Sequence, residues 1–171
     1  MLTLMGMNEN KQDLIIRSAL RILEKENYQN MKTAAIAQDA GIAEGTIYRY
    51  FKSKRELFVE VLRFISKELA SSFIQGVSPE NSLRKNLKLL GENFYIRKKE
   101  TAGLYKIMYK AFSEVEDEEI KRELATIYDS SIKIIREMIG WSVGKKESNI
   151  SDRKLELILT MLWGLGDMLW K

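Results

Sequence analysis

The chain has 171 residues, 45% hydrophobic and 30% charged, with 28 Lys and Arg against 24 Asp and Glu, one proline, no cysteine and no histidine. That length and apolar content suffice for a good core in one or two domains, while the missing Cys and His exclude a disulfide framework, thiolate chemistry, the usual general base and the commonest metal ligand. Many Lys, Glu, Leu and Ile, a lone Pro79 and no sustained period-two alternation predict an all-α fold.

The N-terminal MLTLMGM is too short and too uncharged for a signal peptide. A first helix is predicted from about Lys11 to Lys25, with Ile15, Ala19, Ile22 and Leu23 inward and Tyr28 packing beneath it. Thr33 to Phe58, TAAIAQDAGIAEGTIYRYFKSKRELF, then spells two short helices, a tight turn and the start of a third helix. Ile36, Ala37 and Ala40 make an apolar face at helical spacing, Gly41 supplies the positive φ that ends the helix, and Ile42 plugs the turn. In the second short helix Ile47 and Phe51 point inward, leaving Thr46, Tyr48, Arg49 and Tyr50 on the other face. This is a helix-turn-helix. Small residues at Ala43 and Gly45 let the backbone approach base edges, and the hydroxyls, Arg49, Lys52, Lys54 and Arg55 reach for phosphates. A merely solvated amphipathic hairpin would leave the exposed tyrosines and the dense cationic patch unexplained.

Ser53 followed by Glu56 is a capping box opening a helix to about Phe73, with Leu57, Val61, Ile65 and Leu69 stacked at every fourth position. Gln75 to Pro79 is a break. Helices are predicted over Ser82 to Ile96, Thr101 to Phe112 and Asp117 to Ile139, then a polar loop from Gly140 and a last helix from Ser151 to Trp170. The acidic run from Glu114 to Glu119 fits a helix's first turn better than a metal site, and Gly6, Gly41 and Gly45 form no phosphate loop. No metal, no cofactor and no enzymatic activity are therefore expected. The longest apolar stretch, Leu155 to Leu165, falls short of a membrane span, so a soluble cytoplasmic protein with no membrane partner is expected. Phe94, Tyr95, Tyr105, Tyr109, Phe112 and Tyr128, with Met108 and Met138, are assigned to three helices around one interior and read largely as core. The last helix carries Leu155, Leu159, Leu162, Trp163 and Trp170 among others, an apolar surface wider than one packing stripe needs.

The run GIAEGTIYRYFKSKRELF resembles the turn region of the tetracycline-repressor (TetR) type of bacterial transcriptional regulators, commonly GVSKGTLYHYFKSKEELF. Upstream, LIIRSALRILEKENYQNMKTAAIAQDAG is similar to that family's first two helices, so the likeness covers about residues 11 to 62. Departures are Asn27 for a usual Gly, Ala34 for a frequent Arg, Lys32 for a capping Thr, Arg49 for a common His and Glu44 for a frequent Lys. Arg49 can take guanine bidentately or grip a phosphate; Glu44 repels phosphate but can accept from cytosine N4. The resemblance implies a helix-turn-helix DNA-binding domain over residues 1–53 and a helical effector-binding and dimerisation domain over 54–171. It implies DNA contacts by Lys32, Thr33, Ala43, Glu44, Gly45, Thr46, Tyr48, Arg49, Tyr50 and Lys54, with the Tyr48 hydroxyl on phosphate and the Lys54 ammonium toward the duplex. Phe94, Tyr105, Met108, Tyr109, Phe112 and Tyr128 are candidates to line a site for a small effector of unknown identity. Leu155, Leu159, Leu162, Trp163 and Trp170 are candidates for a dimer interface. That family usually forms a four-helix interface from two C-terminal helices per subunit, and this chain reaches only the first. Either the Asp117 to Ile139 helix takes the second role, the interface is reduced, or the natural product is longer. Residues 1–60 hold 9 cations against 8 acids, so the positive field is local and two copies on one palindromic duplex are expected on energetic grounds. The expected function is a homodimeric repressor released from a palindromic operator by a small, mostly apolar effector; the alternative is a helical adaptor without an inducer.

Overall fold

The computed structural model describes residues 10–114 and 116–143, which form six helices and, among the described residues, no strand. These are α1 (Lys11–Leu23), α2 (Thr33–Ala40), α3 (Glu44–Tyr50), α4 (Lys54–Phe73), α5 (Leu83–Glu114) and α6 (Glu118–Val143). The predicted polar loop beyond 143 and the last helix lie outside the described residues. No described helix is long and apolar enough to cross a membrane.

The helix ends follow local chemistry. The Asn10 side chain accepts from the Gln12 N–H and caps α1. At the end of α2, Gly41 stands at φ 65°, the Ile42 N–H reaches the Ala37 carbonyl at 3.0 Å and the Gly41 N–H reaches Gln38 at 3.2 Å. That is a Schellman ending, and it turns the chain directly into α3. Ser53 Oγ accepts from the Glu56 N–H at 3.1 Å, while the Glu56 carboxylate reaches back to the Lys52 N–H at 2.6 Å, a capping box displaced by one residue. Asn27, expected to tolerate a turn after α1, works through its side chain, accepting from the Asn30 N–H at 3.0 Å.

The predicted helices over 82–96 and 101–112 are one helix of 32 residues. No Pro or Gly interrupts residues 92–102, and the Thr101 hydroxyl donates to the Arg97 carbonyl four residues back instead of capping a new helix. The charged run from Arg97 to Glu100 is thus helix, not loop. Helix α6 likewise continues past the expected end at Ile139, through Gly140, to Val143. The inward face of α1 comprises Ile15, Ile16, Ser18, Ala19 and Leu23, and Ile22 is only half-buried.

The chain divides into two compact units that do not follow chain order. The first holds the described residues up to Ile65 together with those from Lys106 to Lys121; the second holds Ser66–Tyr105 and those from Arg122 onward. The expected division at residues 53/54 therefore cuts through the first unit. The reason is visible in α4, where Leu57, Phe58, Val61, Leu62 and Ile65 are at most 2% exposed. They complete the core begun by Ile15, Ala19, Ile36, Ile47 and Phe51, all of them buried. Ile107, Met108, Ala111 and Ile120 are the buried residues added by the later segment.

The second unit contains the Phe73, Phe94 and Tyr105 rings, with centroids 5.7 to 6.3 Å apart. Asn93 Nδ2 donates to the Phe73 and Gln75 carbonyls at 2.8 and 2.9 Å, satisfying the C-terminal end of α4. Fully buried Asn86 accepts from the Ser78 N–H and Asn81 Nδ2 and donates to the Ser78 carbonyl, so the loop around Pro79 is pinned by a satisfied amide.

Candidate nucleic-acid interface

The short α3 is held from one side only. Ile47 and Phe51 are 1% exposed and anchor it on the core, while Glu44, Gly45, Tyr48 and Arg49 face outward. Ala43 is the residue before the helix, exposed, with no side chain to cap it. Thr46 and Tyr50 are half-buried flanks of the same face. Gly45 has a helical backbone with no positive φ, and an added Cβ would meet nothing within 4 Å. Among the described residues, neither a positive φ nor a close neighbour requires glycine at that position.

Thr33 opens α2 and is the hub of this surface. Its Oγ1 donates to Glu44 Oε1 at 2.5 Å and lies 3.2 Å from the Tyr48 hydroxyl. Thr33 is 9% exposed and Tyr48 is 49% exposed, so the hub sits below the residues it connects. Three residues assigned separately to the interface are thereby joined, and the joining is not legible in the sequence because 11 and 15 residues separate the partners. Lys32, just before α2, is exposed.

The cationic patch is less uniform than its spacing suggests. Lys54 Nζ donates to the Gln29 carbonyl at 2.8 Å and lies 4.9 Å from the centre of the Tyr28 ring, and burial lowers its pKa. Its ammonium is therefore turned into its own unit, not outward as expected. Arg55 Nε donates to Asp117 Oδ2 at 2.9 Å and its Nη1 to Glu119 Oε2 at 2.6 Å. Bonds to Glu119 and Asp117 raise the guanidinium's pKa. Desolvation pushes the Asp117 carboxyl up, but the Ile120 and Glu119 N–H groups and Arg55 outweigh it, leaving a net lowering. Lys32, Arg49 and Lys52 are the exposed cations of this surface without an ion pair among the described residues.

The six residues assigned to an effector site are not one cluster. Phe94, Tyr105 and Tyr128 belong to the second unit, and Met108, Tyr109 and Phe112 to the first. All lie on α5 or α6, two helices and not three. Tyr105 and Met108 are buried, Phe94 and Tyr128 half-buried, whereas Tyr109 is 60% and Phe112 44% exposed, contrary to a core role. Exposure along α5 does not follow one stripe, since Tyr109 and Phe112 are exposed while Tyr105, four residues before Tyr109, is buried. Burial raises the Tyr105 phenol's pKa, and its hydroxyl has no hydrogen-bond partner among the described residues. A separate pocket in the first unit is lined by Leu23, Tyr28, Phe58, Ile107, Lys110 and Ala111, none of them an expected site residue. Leu155, Leu159, Leu162, Trp163 and Trp170 lie outside the described residues.

Known proteins are similar to this chain in sequence or in fold. A nucleoid occlusion factor, SlmA of Shewanella oneidensis, is 24% identical over 119 residues, which are 70% of this chain and 60% of that protein. The chain thus spans about 60% of the length of that curated relative. Among solved structures, the fatty acid degradation regulator FadR from Bacillus halodurans superposes with a TM-score of 0.72 at 19% identity, covering 95% of this chain and 83% of the other. FadR from Bacillus subtilis in complex with stearoyl-CoA gives a TM-score of 0.71 at 17% identity, over 91% and 82% of the two chains. These two likenesses concern the fold. Residues 15–61, the span from α1 into α4 that carries the interface, match the family model for bacterial regulatory proteins of the tetR family. Over its helix-turn-helix segment, residues 15–61, this chain is thus similar to the tetR family of bacterial regulatory proteins.

Proposed function

We propose that the protein is a cytoplasmic, homodimeric transcriptional regulator that represses from a palindromic operator and is released by a small, mostly apolar effector. The observation that carries the reading is the outer face of α3, where Glu44, Gly45, Tyr48 and Arg49 stand clear of the core beside the exposed cations Lys32 and Lys52. The DNA contacts proposed are those of Lys32, Thr33, Ala43, Glu44, Gly45, Thr46, Tyr48, Arg49 and Tyr50. Lys54 is retained as a residue that holds the surface from behind. With so few exposed cations per subunit, a stable complex requires two subunits on one duplex. Leu155, Leu159, Leu162, Trp163 and Trp170 are proposed to supply the contact between them. An effector site in the second unit is supported by the Phe73, Phe94 and Tyr105 rings and by the Tyr105 hydroxyl, which can meet one polar atom of an otherwise apolar molecule. The complex of Bacillus subtilis FadR with stearoyl-CoA is a precedent for such a ligand on this fold. Helix α4, whose residues are shared between the two units, would carry the change to the recognition helices.

The test is selection of bound duplexes from a random pool, followed by titration of the selected site at several salt concentrations. A palindromic consensus and a linear fall of log affinity with log salt are expected. Lys52→Ala should flatten that slope by about 1 for each phosphate that Lys52 neutralises, whereas Lys54→Ala should leave it unchanged and lower the Tm. A protein that binds no duplex in a salt-dependent way would be the helical adaptor instead.

A further inference from the structure

We infer that Glu44, held by Thr33, reads a cytosine in the major groove of the operator, and that this spot on the recognition surface bonds base amino groups and not phosphate. The inference rests on the DNA-binding reading above and adds the chemistry of one contact.

The polarity of the surface follows from a count of hydrogens. A carboxylate can only accept, so the 2.5 Å contact between Thr33 Oγ1 and Glu44 Oε1 uses the one hydrogen that the Thr33 hydroxyl owns. The 3.2 Å contact between Thr33 and Tyr48 must then run the other way, with the Tyr48 O–H donating to Thr33. The relay Tyr48 to Thr33 to Glu44 fixes every proton in it. What remains to face a ligand is acceptor capacity alone: the second carboxylate oxygen of Glu44 and the lone pairs of the Tyr48 oxygen. Phosphate oxygens are acceptors too, so neither residue can bond the backbone in this arrangement. The donors exposed in the major groove are cytosine N4 and adenine N6, and a carboxylate pairs with the first, because adenine offers an acceptor, N7, beside its amino group.

Charge sharpens the choice. A carboxylate inside the field of a duplex lowers affinity for every sequence, and only a donor directly opposite it offsets that effect. Thr33 limits the alternatives further by preventing Glu44 from swinging away.

The experiment selects duplexes from a random pool with the wild type, Glu44→Gln and Thr33→Val, and then measures affinities for single-base variants of the wild-type site at one salt concentration. In the wild type, one cytosine per half-site should be required, with replacement costing on the order of 10-fold in affinity. In Glu44→Gln the amide oxygen takes the Thr33 bond and turns the NH2 outward, so that position should move from cytosine to a base presenting an acceptor, the rest of the consensus staying the same. Thr33→Val should weaken the cytosine preference without substituting another. A consensus identical in the wild type and Glu44→Gln overturns the inference while leaving the DNA-binding reading intact, as does a uniform rise in affinity for all sequences, which would make Glu44 a repeller of phosphate only. A wild type that selects nothing overturns both.

Discussion

Gly45 shows how a single residue separates stability from function. It lies within α3, where glycine costs about 0.5 to 1 kcal/mol against alanine, yet its backbone is helical and a methyl group there would touch nothing among the described residues. Folding alone would therefore favour Ala. The remaining reason for glycine is the approach of something from outside, beside Glu44 and Tyr48. Gly45→Ala should raise stability by up to about 1 kcal/mol in denaturant titration and, in the same protein, weaken binding to the selected operator. A variant that is both more stable and equally tight would take Gly45 out of the interface.

Between elements, the informative link is Arg55 of α4 with Asp117 and Glu119 at the start of α6. Asp117 also accepts from the Glu119 and Ile120 N–H groups at 3.0 and 3.3 Å, so it caps α6 and pairs with Arg55 at once. Those bonds hold its carboxyl below the ordinary carboxylate value. A carboxyl with a depressed folded pKa stabilises the fold above its unfolded pKa of about 3.9, and that contribution is lost as pH falls through the lower folded value. The same sign applies to Asp39, whose bond from Arg21 lowers its pKa and ties α2 to α1. Asp117→Asn should accordingly melt below the wild type at pH 7, and the gap should close as the pH is taken below about 4. Melting curves by circular dichroism across that range would show it; a gap independent of pH would mean that the cap, and not the charge, is what Asp117 provides.

At the scale of the molecule, the first unit is assembled from two distant stretches of chain. Lys110 Nζ donates to the Glu26 carbonyl across 84 residues, and Ile107 and Ala111 line a pocket with Leu23, Tyr28 and Phe58. A fragment of residues 1–65 would expose the surface that these α5 residues cover, together with the site that Ile120 fills. It should have reduced helicity and no cooperative melting transition, and it should not bind the operator even at low salt. A fragment that melts cooperatively would show that α1 to α4 suffice as a folding unit.

What the sequence determined by itself was local. Periodicity, the Gly41 ending and the Ser53 to Glu56 cap place α1 to α4 because each depends on residues a few positions apart. The inward set Ile36, Ala37, Ile47, Leu57, Val61 and Ile65 follows from the same spacing. Tertiary structure decided whatever depends on distant partners. Lys54 and Arg55 read as phosphate ligands in a row of basic residues, yet one is turned to Gln29 and Tyr28 and the other to carboxylates 62 and 64 residues away. Thr33 read as one more groove residue, but its single hydrogen sets the polarity of Glu44 and Tyr48. Charge and hydroxyl content can be counted along a chain, whereas the direction of a hydrogen bond and the pairing of an ion depend on which groups folding brings within about 3 Å of each other.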